Sequence, residues 1–168
     1  MMRLFKVLAR VLARMSARVL AMVLVLALCS VLLSACALPR ITVLRDPLTA
    51  QEHLQLGLAY EAEGKSDLAK RHYKDAAKEL PQAHYYLGNL AFIHQDWSQA
   101  EQHYEKAIKG LPDDPRPRNN LAWLYCTQGR LLERAEKLAN QAMDLAVESE
   151  RAQYADTLEK IRQARSVR

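Results

Sequence analysis

The residues of this chain with the means to do chemistry are five histidines, three cysteines and a few acid pairs. Imidazole nitrogens and thiolates bind metals, and a cysteine beside a base is a nucleophile. The histidines argue against both uses by their phase. The step from His53 to His84 equals the step from His72 to His103, with His94 alone. A repeat-specific packing or surface position recurs with the chain in this way, whereas a single metal centre has no reason to. No metal and no other cofactor is therefore expected. Cys126 has no base in its sequence neighbourhood, Asp113-Asp114 sits in the proline-rich turn PDDPRP, and no glycine-rich phosphate loop occurs. No catalytic residue is expected.

The remaining cysteines belong to the amino-terminal region. MMRLFKVLARVLARMSAR carries five basic residues and no acid, and from Val19 to Ala35 only Ser30 and Ser34 are polar. A basic stretch, an apolar core and small residues before a break form the layout of a secretory signal. An uncleaved anchor is the alternative, because a core of about 17 residues reaches the lower limit for spanning a bilayer.

Leu33-Ser34-Ala35-Cys36 resembles the bacterial lipobox, in which an aliphatic residue and two small ones precede a cysteine. The resemblance implies a diacylglyceryl group on the Cys36 thiol, cleavage just before it and acylation of the new amino terminus. Two or three acyl chains hold a protein at a membrane stably, where one holds it marginally. Translation from Met15 would give a signal of more ordinary length. Cleavage removes five of the 24 basic residues and none of the 19 acidic ones, leaving a formal charge of zero. The net charge of +5 thus belongs to the signal and gives no support to nucleic-acid binding. Only Cys126 remains as a thiol, so no internal disulfide is available.

The elements that follow are set by a repeat. HLQLGLAYEAEGKSDLAKRHYKDAAKELP at 53–81 aligns without a gap on HYYLGNLAFIHQDWSQAEQHYEKAIKGLP at 84–112. Leu56-Gly57 meets Leu87-Gly88, Ala69 meets Ala100, Tyr73 meets Tyr104, Ala76 meets Ala107, and Pro81 meets Pro112. A third copy carries Leu121-Ala122, Tyr125, Gly129, Ala135 and Ala142. Each copy contains two helical patterns broken by a turn at Gly64, Gln95-Asp96 or Gly129. Thr49-Ala50-Gln51-Glu52 and Ser98-Gln99-Ala100-Glu101 both fit a capping box.

These motifs resemble the tetratricopeptide repeat, whose 34-residue pattern is W-x2-L-G-x2-Y, then A-x3-F, then P. The likeness runs from 50 to about 146 and implies an all-α fold, an α-solenoid of three helix pairs with a carboxy-terminal capping helix. His53 and His84 replace the tryptophan, and Ala91 replaces the tyrosine of the second copy. Three residues are missing between Pro81 and Gly88, so Pro81 is expected both to close one helix and to open the next. The third copy has one extra residue between Gly129 and Ala135, and Ala139 stands where the large aromatic belongs. Tyr154 is the candidate to fill that volume. It lies with Leu158 and Ile161 on one stripe of a helix over 149–165, whose polar outer face suits the end of a stack. The expected organisation is a signal at 1–35, a lipidated terminus and tether at 36–49, repeats at 50–80, 81–114 and 115–146, and a cap at 147–168. A dozen extended tether residues would reach about 40 Å.

In the family, the first helix of each repeat has a second stripe that lines a concave peptide-binding groove. Carried over residue by residue, it falls on Leu54, Leu58 and Glu61, then Tyr85, Asn89 and Phe92, then Asn119, Trp123 and Cys126, with Arg116 the cation beside the third set. Aromatic side chains supply anchoring area, and asparagine can donate to and accept from an extended backbone. The same aromatics could instead pack on the first helix, the tether or each other. The expected function is non-catalytic: a lipid-anchored scaffold or assembly factor of an envelope machine, on the outer membrane facing the periplasm, binding a protein segment. The alternative is a non-catalytic accessory subunit of an exported enzyme or polysaccharide export complex.

Overall fold

The computed structural model describes residues 46–167 without a break and scattered positions before them. The chain divides into two compact units, Met1–Arg45 and Asp46–Arg168. In the first, residues 21–26 are helical, while the Leu33-Ser34-Ala35-Cys36 motif and the tether as far as Arg45 lie outside the described residues. Among the described residues, no helix is long and apolar enough to cross a membrane.

The second unit contains α1 (Ala50–Ala62), α2 (Ser66–Ala76), α3 (Pro81–Ile93), α4 (Trp97–Gly110), α5 (Pro115–Thr127), α6 (Leu132–Leu145) and α7 (Arg151–Ser166). A single 3-10 turn at Glu148–Glu150 leads into α7, and no strand occurs among the described residues. The first six helices form three hairpins stacked in chain order, and α7 packs on both helices of the third.

Local chemistry sets the boundaries. At the start of α1, Glu52 N–H donates to Thr49 Oγ1 at 3.2 Å while Thr49 N–H donates to Glu52 Oε2 at 2.7 Å, a complete capping box. The box expected at Ser98 is not the cap of α4. Gln95 adopts a left-handed φ of 60°, which ends the turn earlier, and Asp96 caps the helix by accepting from Gln99 N–H at 3.2 Å. Ser98 therefore lies inside the first turn, and Glu101 is free to receive Tyr125 Oη–H at 2.6 Å. The other two turns carry Gly64 and Gly129, with φ of 73° and 59°. The extra residue of the third copy is taken up by Leu131, left-handed at φ 49°. Pro81 is the first residue of α3, where its missing N–H costs nothing.

Within the first two hairpins a glycine admits a tyrosine. Tyr73 lies against Gly57 and Tyr104 against Gly88, and both rings are buried. The third hairpin sets Ala122 opposite this pattern, with Ala139 also fully buried. Tyr154 does not fill the space left by Ala139. Leu158 and Ile161, one and two turns further along the same stripe, join Ala135 and Ala139 in the core. Tyr154 is buried at the start of α7 instead, where Glu150 and Asp114 add to burial in raising its phenol pKa. Tyr154 lies near enough to Asp114 and Arg116, at the start of α5, for their charges to act on its phenol, whereas Leu158 and Ile161 share a core cluster with Ala135 and Ala139 of α6.

Candidate functional site

Side chains of α1, α3 and α5, with Tyr104 of α4, converge on a groove of about 290 Å³ lined by Glu61, Asn89, Phe92, Ile93, Tyr104, Asn120 and Trp123. Its apolar wall is Phe92, packed edge-on against Trp97 at 5.4 Å between ring centroids, together with Trp123 and Ile93. Ile93 is 66% exposed, an apolar side chain left to solvent on the last residue of α3.

Its polar floor is a hydrogen-bond relay across two repeats. Asn89 Oδ1 accepts from Tyr104 Oη–H at 3.0 Å and from Asn120 Nδ2–H at 2.9 Å. Asn120 Oδ1 in turn accepts from Asn119 Nδ2–H at 3.4 Å. At the far wall, Glu61 accepts from the hydroxyl of Tyr73. Burial above all, and the neighbouring Glu61 carboxylate after it, pushes the Tyr73 phenol well above its ordinary range, so it stays a donor. Tyr104 is raised by burial in the same direction.

A second concavity of about 240 Å³ continues on the other side of Trp123, between α5 and α7, lined by Asn119, Asn120, Gln153, Asp156, Thr157 and Lys160. The Lys160 ammonium lies 5.4 Å from the Trp123 ring centroid. Asn119 is 6% exposed, and its Oδ1 has no hydrogen-bond partner among the described residues. A buried carbonyl without a donor costs about 1–3 kcal/mol.

Asn89, Phe92 and Trp123 thus meet in one groove, and Asn119 lines its extension. Four expected groove residues lie elsewhere. Leu54 is 1% exposed and belongs to the core of the first hairpin, and Leu58 packs against that core. Tyr85 carries the Arg116 guanidinium 5.0 Å from its ring centroid. Arg116 is held by Asp114, through Nε at 3.0 Å and Nη2 at 2.6 Å, so its charge is already engaged. Burial tends to raise the Asp114 carboxyl, but hydrogen bonds from Arg116 win and hold it below the ordinary carboxylate range.

The physical reason is the width of a helix face. The position three before the repeat glycine lies at the core edge of the stripe, where Leu54 and Asn119 are buried and Tyr85 is half-buried. Ile93 and Asn120 lie on its opposite edge, and an apolar stripe of 100° or more takes in such positions. Their signal was in the sequence, since each directly follows an expected groove residue, Phe92 and Asn119.

Cys126 is half-buried, and burial raises its thiol pKa, with Lys160 opposing. The thiolate, the nucleophilic form, is thereby disfavoured. The histidines pair within their hairpins: His53 Nδ1 lies 2.9 Å from His72 Nδ1, and His84 Nδ1 lies 3.1 Å from His103 Nδ1.

Two family models, both described as tetratricopeptide repeat, match residues 54–115 and 91–161. A comparison with curated proteins gives no match. Among solved structures, the chain is similar to PcrH from Pseudomonas aeruginosa, with a TM-score of 0.63 and 22% identity over 72% of this chain and 98% of that one. A likeness at that identity speaks for the fold.

Proposed function

We propose that this chain, whose residues 54–161 are tetratricopeptide repeats, holds an extended segment of a partner protein in the groove between α1 and α7. The observation that carries the reading is the buried, unpartnered Asn119 Oδ1 beside Trp123. An acceptor kept dry at a cost to stability is matched by a donor that arrives with a ligand, and a peptide backbone offers one at every residue except proline. Phe92, Ile93 and Trp123 supply apolar anchorage next to it. The role is that of a scaffold or assembly factor, without catalytic residues of its own.

The lipobox-like Leu33-Ser34-Ala35-Cys36 extends the proposal to location. With lipid on Cys36 and Ala37 after it, where an inner-membrane retention signal would have aspartate, the domain faces the periplasm from the outer membrane. Feeding cells a labelled fatty acid should mark the protein, and Cys36→Ser should abolish the label.

In-cell photo-crosslinking tests the groove. A photoreactive residue at Ile93 or Trp123 should give a discrete adduct with another protein, while one at Glu105, on the outward face of α4, should give none. Equal adducts from all three sites, or adducts only within the chain, would remove the groove as the binding surface.

A further inference from the structure

The two histidine pairs are near copies. Their ring centroids lie 5.2 and 5.3 Å apart, with interplanar angles of 35° and 32°. Their surroundings are opposite. In the first hairpin, Asp46 Oδ2 lies 3.1 Å from His53 Nε2, and Asp75 on α2 completes a set whose ligand atoms all fall within 4.8 Å of one another. In the second, the positions equivalent to Asp46 and Asp75 are Ala77 and Lys106. The acids are replaced by a methyl group and an ammonium.

We propose that Asp46, His53 and Asp75 bind a divalent transition-metal ion, zinc by preference. Two carboxylates and one imidazole are a ligand set suited to zinc, and three protein ligands leave a fourth position for water. A tetrahedron with bonds of about 2.0 Å has edges of about 3.3 Å. The His53–Asp46 separation of 3.1 Å is already close to that edge, and the carboxylate of Asp75, half-buried on α2, has only to draw in.

The outer contacts favour the same use. Asp46 Oδ1 accepts from Leu48 N–H at 3.0 Å, which fixes the carboxylate and aims its other oxygen at His53. His53 is 6% exposed, and its Nδ1 meets His72 Nδ1, where only one of the two nitrogens can carry the proton. Without metal, Nε2–H donates to Asp46 Oδ2 and Nδ1 accepts from His72; a metal would displace that proton, with Nδ1–H then donating to His72 and Nε2 turned to the ion as a ligand. A metal-ligating histidine is oriented by such a bond from its second nitrogen. His72 is itself stacked on Tyr60, with centroids 5.3 Å apart. The present cation at Asp75 is the Lys78 ammonium at 2.7 Å, on a side chain 72% exposed, which can swing into water when a metal arrives.

Bound metal would join the segment entering the first repeat to both helices of the first hairpin. The site is independent of the groove, so its failure would leave the proposed function untouched.

The test uses the full chain in detergent, titrated with cobalt(II) and followed by its visible d–d absorption, then competed with zinc. One cobalt per chain is expected, displaced by zinc. Asp46→Asn and Asp75→Asn, both away from the buried core, should each weaken binding 10-fold or more, and His72→Phe about 10-fold by loosening His53. His84→Gln should leave binding unchanged. Absence of stoichiometric cobalt binding would overturn the proposal, as would binding that survives both aspartate changes or falls equally with His84→Gln.

Discussion

Gly88 stands so close to the face of Tyr104 that a Cβ built on it would lie 2.6 Å from both Cδ1 and Cε1 of the ring. The same relationship recurs between Gly57 and Tyr73, at 2.4 and 2.5 Å. Alanine normally stabilises a helix interior by up to about 1 kcal/mol relative to glycine. Here the ring is enclosed and cannot move aside. Gly88→Ala is expected to destabilise the domain by about 1–3 kcal/mol, the usual cost of overpacking. Urea denaturation followed by circular dichroism would measure it, and a neutral or stabilised variant would mean that the hairpin can open at no cost.

Asn119→Leu should do the reverse. It replaces a buried amide whose oxygen is unpartnered with an apolar side chain of similar size. A gain of about 1 kcal/mol in unfolding free energy is expected, together with loss of the partner crosslink at Trp123. A variant that gains stability and keeps the crosslink would show that the amide has no part in binding.

Acid should weaken the second histidine pair. Burial first, then His84 and the ammonium groups of Lys106, Lys70 and Lys74, lower His103 from 6.5 to about 4. His84 is lowered in the same direction by burial and by Lys106. The unfolded chain then takes up protons near pH 6.5 that the folded chain refuses until about pH 4. The stabilisation is complete above pH 6.5 and is lost as pH falls through that window. Replacing His103 with glutamine should flatten the decline in urea midpoint between about pH 7 and about pH 5. Identical slopes for the two proteins would refute this assignment.

The end of the array depends on α7. Ile161 is fully buried and joins Ala135 and Ala139 in the core of the third hairpin. Ile161→Ala should cost about 2–5 kcal/mol. The loss should be largest for hydrogen-exchange protection in α5 and α6, since a repeat contacts only its neighbours. Uniform loss across α1 to α6 would show instead that the array unfolds as one unit.

Most of the architecture was legible before any coordinates. Leu-Gly, Ala and Tyr recurring in phase over the first two copies, and Leu-Ala with Ala in the third, determine helix pairs, because each copy must bury the same face against the next. Proline and glycine mark where the pairs turn. Those are local or repeated relationships, and one-dimensional pattern carries them.

What the pattern left open was how the faces rotate in the stack. Leu54 and Asn119 have the same offset from their repeat position, and both proved to lie on the buried edge. Asn120, one residue beyond Asn119, faces the groove instead, and so does Ile93, one residue beyond Phe92. The stripe rule places residues to within one position, which on a helix is about 100° of rotation. That angle separates core from solvent. The volume opposite Ala139 went to Leu158 and Ile161 rather than Tyr154 for a similar reason, because the register of α7 depends on how it docks. Asp46 precedes the first repeat and Asp75 has no acidic counterpart in the second, so nothing in the sequence joined them to His53. The sequence by itself determined the repeated helices and where they turn. Only the tertiary structure decided which side chains share a groove and which acids meet a histidine, because those contacts depend on rotation and docking between elements and not on spacing along the chain.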